Sequence, residues 1–340
     1  MSYLMRILVI TLCAMTICVE AEGYLLFSGN ANHALAEEIA DKLNVPLGRA
    51  IVGRFNDGEV QIQINENVRN QDVFVIQSTC RTDQASVNDN IMELILMIRA
   101  LKRSSANSVT AVIPYYGYAR QDRKTTPRVP ISGSDVAMML ENAGVDRVVS
   151  IDLHCGQIQG FFRDAPVDNL YSSPIFADYA AQLKMNNPVV VSPDAGGVSR
   201  AKQFKEQLRQ KGVESGFAMI IKQRAMPGVI ESTNIVGEVK DRDVIIVDDL
   251  CDTGGTIVAA AAELRKHGAR KIYACITHPV FSKDALDKIA KSSFTQMIVT
   301  DSIPIERELP DNIRQVSVAP MLADVIDRIS KGDSVSAIFN

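Results

Sequence analysis

The run Val244-Ile245-Ile246-Val247 puts β-branched apolar side chains on both faces of any strand it forms, so that strand has to be covered from both sides. Similar short runs recur at Leu25–Ser28, Asp72–Gln77, Val109–Tyr115, Arg147–Leu153, Val189–Asp194, Phe217–Lys222, Val244–Asp248, Lys271–His278, Gln296–Asp301 and Arg314–Ala319. Amphipathic stretches alternate with them at Ala34–Leu43, Asn90–Arg103, Ser134–Ala143, Gly197–Lys211, Thr256–His267, Asp284–Ser292 and Met321–Ser330. In Asn90–Arg103, for example, Ile91, Leu94, Ile95, Ile98 and Leu101 share one helical face. This alternation predicts βαβ units, that is, an α/β fold of mostly parallel sheets flanked by helices. The number of strands and a length of 340 residues both point to two sheets in two units. Phe162–Pro174, rich in Pro and Asp, reads as the linker. Gln121–Pro130 and Arg224–Asp241 read as long polar segments after strand ends, where α/β proteins bind ligands.

Composition narrows the class. With 46% hydrophobic and 22% charged residues the chain has the make-up of a globular protein, which excludes wholesale disorder. Against 40 acidic residues, 36 basic ones leave a net charge of −4, so nothing asks for nucleic acid. Cys13, Cys18, Cys80, Cys155, Cys251 and Cys275 are scattered without a C-x-x-C pair, which favours reduced, structural thiols. No apolar run reaches the roughly 18 residues that span a bilayer. At the start, Arg6 precedes an apolar stretch from Ile7 to Val19, and Val19 and Ala21 could flank a signal-peptidase cut. A targeting peptide, a buried first strand and an over-extended start are the readings this stretch allows.

The most specific chemistry lies in VIIVDDLCDTGGT, Val244 to Thr256. A buried strand runs into the adjacent carboxylates Asp248 and Asp249. Asp252-Thr253-Gly254-Gly255-Thr256 then opens an alanine-rich helix. The glycines let successive N–H groups face one small anion, the threonine hydroxyls add donors, and the helix start contributes positive potential. Paired acids repel phosphate but suit hydroxyl donors, so a sugar phosphate fits the whole segment. The plainer alternative is a tight strand-to-helix turn with Thr as N-cap. Ser192-Pro193-Asp194-Ala195-Gly196-Gly197 also opens a helix with paired glycines and suits a second anion. Arg120, Gln121, Arg123, Lys124 and Arg128 form a basic segment, and Lys222 and Arg224 follow another strand. G-x-x-x-x-G-K-[ST] is absent, which excludes a Walker-type ATPase.

These segments together carry a resemblance. VIIVDDLCDTGGT resembles the ribose-5-phosphate loop of the type I phosphoribosyltransferase fold. With Phe55-Asn56-Asp57-Gly58-Glu59, Tyr118 to Lys124 followed by Pro130-Ile131-Ser132, Ile151-Asp152-Leu153-His154, Ser192 to Gly197 and Thr277-His278-Pro279, the chain from Leu25 onward is similar to class I ribose-phosphate pyrophosphokinases. The resemblance implies two type I phosphoribosyltransferase-like domains, each a mostly parallel sheet flanked by helices. It divides the chain into an apolar extension at 1–23, an ATP-side domain at 24–166, a sugar-phosphate domain at 167–322, and a C-terminal helix at 323–340 packing back on the first domain. The implied reaction transfers the β,γ-diphosphoryl group of ATP to the 1-hydroxyl of ribose 5-phosphate, giving phosphoribosyl pyrophosphate and AMP.

By resemblance Lys222 and Arg224 are catalytic, on a flexible loop; Asp57, Gly58, Glu59, Arg120 and Gln121 bind ATP, the first three from a neighbouring subunit. Arg224, Asp248, Asp249, Asp252, Thr253, Gly254, Gly255 and Thr256 bind ribose 5-phosphate. His154 and Asp194 hold Mg²⁺; ligand preference alone selects only Asp194, because Mg²⁺ favours oxygen. A homohexamer in the cytoplasm is the implied state, and export of such an enzyme is not expected. Gly133-Ser134-Asp135 departs from the family's usual Ala-Lys after Pro-Ile-Ser, losing a positive charge and gaining a negative one near the ATP loop. A phosphoribosyltransferase, which would have no use for the first domain's motifs, and a non-catalytic synthetase-associated subunit, in which the loops should be eroded, are the alternatives.

Overall fold

Strands that are apolar on both faces need helices above and below, and this arrangement is seen in a computed structural model that describes residues 23–223 and 232–339. In chain order the first part carries β1 (Tyr24–Ser28), α1 (His33–Leu43), a hairpin of β2 (Ala50–Arg54) and β3 (Val60–Ile64), β4 (Asp72–Ile76), α2 (Val87–Arg103), β5 (Ser108–Ile113), α3 (Ser132–Ala143), β6 (Arg147–Ile151) and β7 (Val167–Leu170). The second part carries α4 (Ser173–Ala181), β8 (Val189–Ser192), α5 (Val198–Gln210), β9 (Gly216–Gln223), β10 (Ser232–Val236), β11 (Asp243–Cys251), α6 (Gly255–Lys266), β12 (Lys271–Pro279), α7 (Ala285–Ala290), β13 (Gln296–Thr300), β14 (Ile313–Val316) and α8 (Ala319–Lys331).

One sheet is parallel throughout, in the order β1-β4-β5-β6-β7. The other runs β10-β9-β8-β11-β12-β13-β14 and is parallel except for the antiparallel edge pair β9–β10. The expected α/β class with helix-flanked parallel sheets is therefore what the chain adopts. Val244 and Ile246 pack with α6 and α7 on one side of β11, and Ile245 and Val247 pack with α4 and α5 on the other. Burying each such side chain contributes ~1.5–3 kcal/mol. On the first sheet, α2 and α3 cover one face; α1 and α8 cover the other, with Leu35, Ile39, Leu322, Val325 and Ile326 in one buried cluster.

Three expectations are corrected. The stretch Phe162–Pro174 is no open linker: it contains β7, which pairs with β6, so the first sheet runs past the boundary drawn at 166. The polar segment 224–241 holds β10, an edge strand whose pairing comes from β9 rather than from burial. Residues 50–64 form the two-stranded hairpin, where no expected element stood. The N-terminal extension read at 1–23 lies, up to residue 22, outside the described residues. Among the described residues no helix is long and apolar enough to cross a membrane. Cys80, Cys155, Cys251 and Cys275 are free thiols. Burial pushes Cys80 and Cys251 up to about 12, so they serve packing rather than nucleophilic chemistry.

β11 is anchored at its start by Asp243, whose side chain is fully buried. It accepts Arg270 Nε at 2.8 Å, Arg270 Nη2 at 2.7 Å and the Asn186 N–H at 2.7 Å. Burial pushes this carboxyl up, but those hydrogen bonds and the guanidinium charge outweigh it and hold the group below the ordinary carboxylate value. A depressed folded-state pKa adds stability that is present above the unfolded value, about 3.9, and fades as pH falls toward the folded value. Arg270→Met is therefore expected to lower the melting temperature at pH 7, with the gap to the parent closing between about pH 5 and pH 3. Thermal scans across pH check this; a gap independent of pH would assign the effect to packing.

Candidate active site

The far end of β11 delivers Asp248 and Asp249 and then turns through Asp252-Thr253-Gly254 into α6. Gly254 sits at φ +74°, which a side chain would strain. It is also the N-cap, and no side chain caps α6, so the Thr-capped turn is not what forms here. The first N–H groups of α6 have no partner within the helix, and Thr253, Gly254 and Thr256 line a cavity. Beside it β8 ends in Ser192, and the turn Pro193 to Gly197 starts α5, again without a side-chain cap. There the Asp194 Oδ1 accepts the Gly197 N–H at 3.0 Å, which folds the turn on itself.

Both helix starts open into one cavity of about 790 Å³, which the first unit walls off with Arg120, Asp122, Arg123 and His154. His154, carried past the end of β6, donates from Nδ1 to Asp249 Oδ2 at 2.7 Å. Arg200, from the first turn of α5, places Nη1 3.3 Å from Asp249 and 3.5 Å from Asp248. Burial pushes Asp249 up, but the His154 hydrogen bond and Arg200 outweigh it and hold it well below the usual carboxylate range. Burial, and then the charge of Asp249, push Asp248 the other way, upward. The Asp249 bond in turn raises His154 above its ordinary value. The neighbouring acids are thus pushed in opposite directions, Asp249 downward by His154 and Arg200 and Asp248 upward by burial and by Asp249.

Arg120 donates from Nη1 to Asp252 at 2.7 Å, and the Ser282 hydroxyl donates to the same carboxylate. Gln121 is exposed and fixed by the Ser132 hydroxyl at 2.6 Å. Around them, residues 121–130 carry no helix or strand. Gly133 is buried in the first turn of α3, where an added Cβ would lie 3.4 Å from Tyr118 O, an ordinary contact; Asp135 faces solvent. The family departure therefore puts its negative charge outside the cavity wall, at a helix start that favours it.

The hairpin tip Asp57-Gly58-Glu59 is exposed, with Gly58 at φ +97°, and does not line the cavity. Lys222 follows the cavity-lining Ile221 near the end of β9. Arg224 lies outside the described residues, as does the Lys222 side chain. The residue that motif reading missed is Arg200. Its signal was a cation in the first turn of a helix, where the macrodipole disfavours it unless acids compensate.

Among the described residues no three His, Cys, Asp or Glu groups gather as a protein-only metal cage. Mg²⁺ keeps waters and phosphate oxygens and takes one or two protein groups at such sites. His154 and Asp194 line the same cavity, and with Nδ1–H given to Asp249 the His154 Nε2 carries the free lone pair. The donor set fits a cation that arrives with phosphates.

Comparison with known proteins gives the same outline. The family profile for the N-terminal domain of ribose phosphate pyrophosphokinase matches residues 24–144, and that for the phosphoribosyl synthetase-associated domain matches 216–340. A ribose-phosphate pyrophosphokinase of Campylobacter jejuni is 50% identical over 317 residues, 93% of this chain and 99% of the relative. The chain belongs to the ribose-phosphate pyrophosphokinase family. The namesake enzyme of Ralstonia nicotianae is likewise 50% identical, over 94% of this chain and 99% of its own. Phosphoribosylpyrophosphate synthetase from Mycobacterium smegmatis superposes with a TM-score of 0.84 at 38% identity, covering 91% and 99% of the two chains. Like other ribose-phosphate pyrophosphokinases, the chain is an enzyme of the transferase class. Full-length matches of this kind leave no room for a single-domain phosphoribosyltransferase.

Proposed function

We propose that the chain transfers the β,γ-diphosphoryl group of ATP to the 1-hydroxyl of ribose 5-phosphate, releasing AMP and phosphoribosyl pyrophosphate. The observation that carries this reading is the single cavity into which both uncapped helix starts, the Asp248–Asp249 pair and Arg120 open. The N–H groups and hydroxyls of Thr253 to Thr256 hold the 5-phosphate. Asp249 and Asp248 accept the ribose hydroxyls, which fixes the 1-hydroxyl relative to the nucleotide. Arg120 and Gln121 hold the ATP phosphates from the opposite wall. His154 and Asp194 would hold Mg²⁺, which would supply neutralisation of phosphate charge at this wall of the cavity.

In the transfer the sugar O1 bonds to the β-phosphorus, the bond from that phosphorus to the AMP oxygen breaks, and the hydroxyl proton is released. Lys222 and Arg224 supply positive charge where the transferred group gains negative charge. The position of Asp57, Gly58 and Glu59 away from their own cavity supports an ATP site completed by a neighbouring copy, and the homohexamer follows from the family resemblance alone. A cytoplasmic setting, where both substrates are made, suits the reading.

Incubation with ATP, Mg²⁺ and ribose 5-phosphate is expected to release AMP in step with phosphoribosyl pyrophosphate. Chelation of divalent cations should stop it and added Mg²⁺ restore it. Release of ADP in place of AMP would make the protein an ordinary kinase.

A further inference from the structure

The segment Thr277-His278-Pro279 has no part in the reaction above, yet His278 is 3% exposed where the two units meet. Its Nε2 faces two main-chain carbonyls of the first unit, Ile151 O at 3.0 Å and Asp152 O at 3.3 Å, so this nitrogen must donate. Full burial holds the ring below its ordinary value, and Nδ1 lies 2.9 Å from the Ser302 hydroxyl, which also donates to Thr277 O at 2.9 Å.

Asp152 grips in the opposite direction. Its carboxylate, 4% exposed as a residue, accepts the Thr277 hydroxyl at 2.7 Å, the Ser172 N–H at 3.1 Å and the Ser172 hydroxyl. A backbone φ of +42° at Asp152 fits this sharp change of direction. The Ser78 hydroxyl on Ser302 O and the Asn32 amide on Asp301 O extend the seam. Apart from Asp152–Ser172, His278–Ser302 and Thr277–Ser302, which are 20, 24 and 25 residues apart, the partners in this clasp are 125 or more residues apart and join the two units.

The clasp lies next to the chemistry. Two residues beyond Asp152 the chain presents His154 to Asp249 across the same junction. Thr277 and His278 belong to β12, which pairs with β11 so that His278 lies opposite Leu250. The strand end that carries His154 is thereby tied to the strand beside the one that carries Asp248 and Asp249. We infer that His278, acting through the main-chain carbonyls of Ile151 and Asp152, is a positioning residue that holds His154 against Asp249 across the junction of the two units. This rests on the proposed role of His154 in the reaction.

The test is a double-mutant cycle in steady-state kinetics, run well below each variant's melting temperature. His278→Ala removes the donor and is expected to lower kcat about 10–100-fold, because small displacements of reacting groups have effects of that size. The KM for ribose 5-phosphate should change less than kcat, since the turn from Asp252 to Thr256 that receives the phosphate lies beyond β11, although Asp248 and Asp249 lie on it. His278→Gln, whose amide N–H reaches about as far as Nε2, should recover most of the turnover. In a His154→Ala background the further change at 278 should cost at most about twofold, because the two residues act on one contact. Equal losses at 278 with and without His154, or no loss at all, would overturn the inference. If His154→Ala alone left turnover intact, the proposed role of His154 would fall, and the inference with it. Should His278→Ala not fold, Thr277→Val removes one clasp hydrogen bond at nearly constant volume and is expected to show the same non-additivity with His154→Ala.

Discussion

Replacing Lys222 by alanine is expected to lower turnover by about 10²–10³-fold, the size seen when one preorganised charge-stabilising donor is lost. The melting temperature and the KM for ribose 5-phosphate should change little. Lys222 stands near the end of β9, directly after the cavity-lining Ile221, while β9 is held between β8 and β10. A lysine at this position offers a point charge for the charge that develops on a transferred phosphoryl group, and substrate in its ground state has less use for it. An equal rise in the KM of both substrates at unchanged kcat would instead make Lys222 a binding residue, and retained activity would remove it from the mechanism.

Asp249→Asn is expected to have the second large effect. Asp249 is 4% exposed, accepts a hydrogen bond from His154 and forms an ion pair with Arg200. Each hydrogen bond to a charged group contributes about 1.5–3 kcal/mol, so losing the charge should lower kcat/KM for ribose 5-phosphate by about a hundredfold. The amide would also turn a donor toward Arg200, leaving a buried guanidinium without one of its two acids. Measurement with each substrate varied in turn separates the cases: a defect confined to ATP would contradict the assignment of this acid to the sugar.

What could be read along the chain was whatever burial writes into local pattern. Val244 to Val247 announced a doubly covered strand, and β11 is one. β2 and β3 escaped because they lie half-exposed, with Gln61 and Gln63 alternating with Ile62 and Ile64, though Asp57-Gly58 is a known hairpin signal. β7 escaped for another reason: Val167-Asp168-Asn169-Leu170 has four residues, and only its pairing with β6 makes it a strand. In the site, glycines and acids at close spacing marked the loop after β11. The meeting of His154 with Asp249, 95 residues away, and of Arg200 with both acids depends on how strands are ordered in space. No local spacing encodes that.

The pairing of α1 with α8 on one face of the first sheet bears on how the molecule is made. A ribosome completes α1 at Leu43 and reaches α8 only at Ala319. At about 5–20 residues per second this leaves an interval of roughly 15–60 s in which that face lacks its second helix. The first unit therefore cannot finish its interior while it is being synthesised, and a fragment stopped before Ala319 would expose Leu26, Ile39 and Phe74 to other nascent chains. Although the chain reads as two successive units, its assembly is closed by its last helix, so the two are born as one obligate folding partnership.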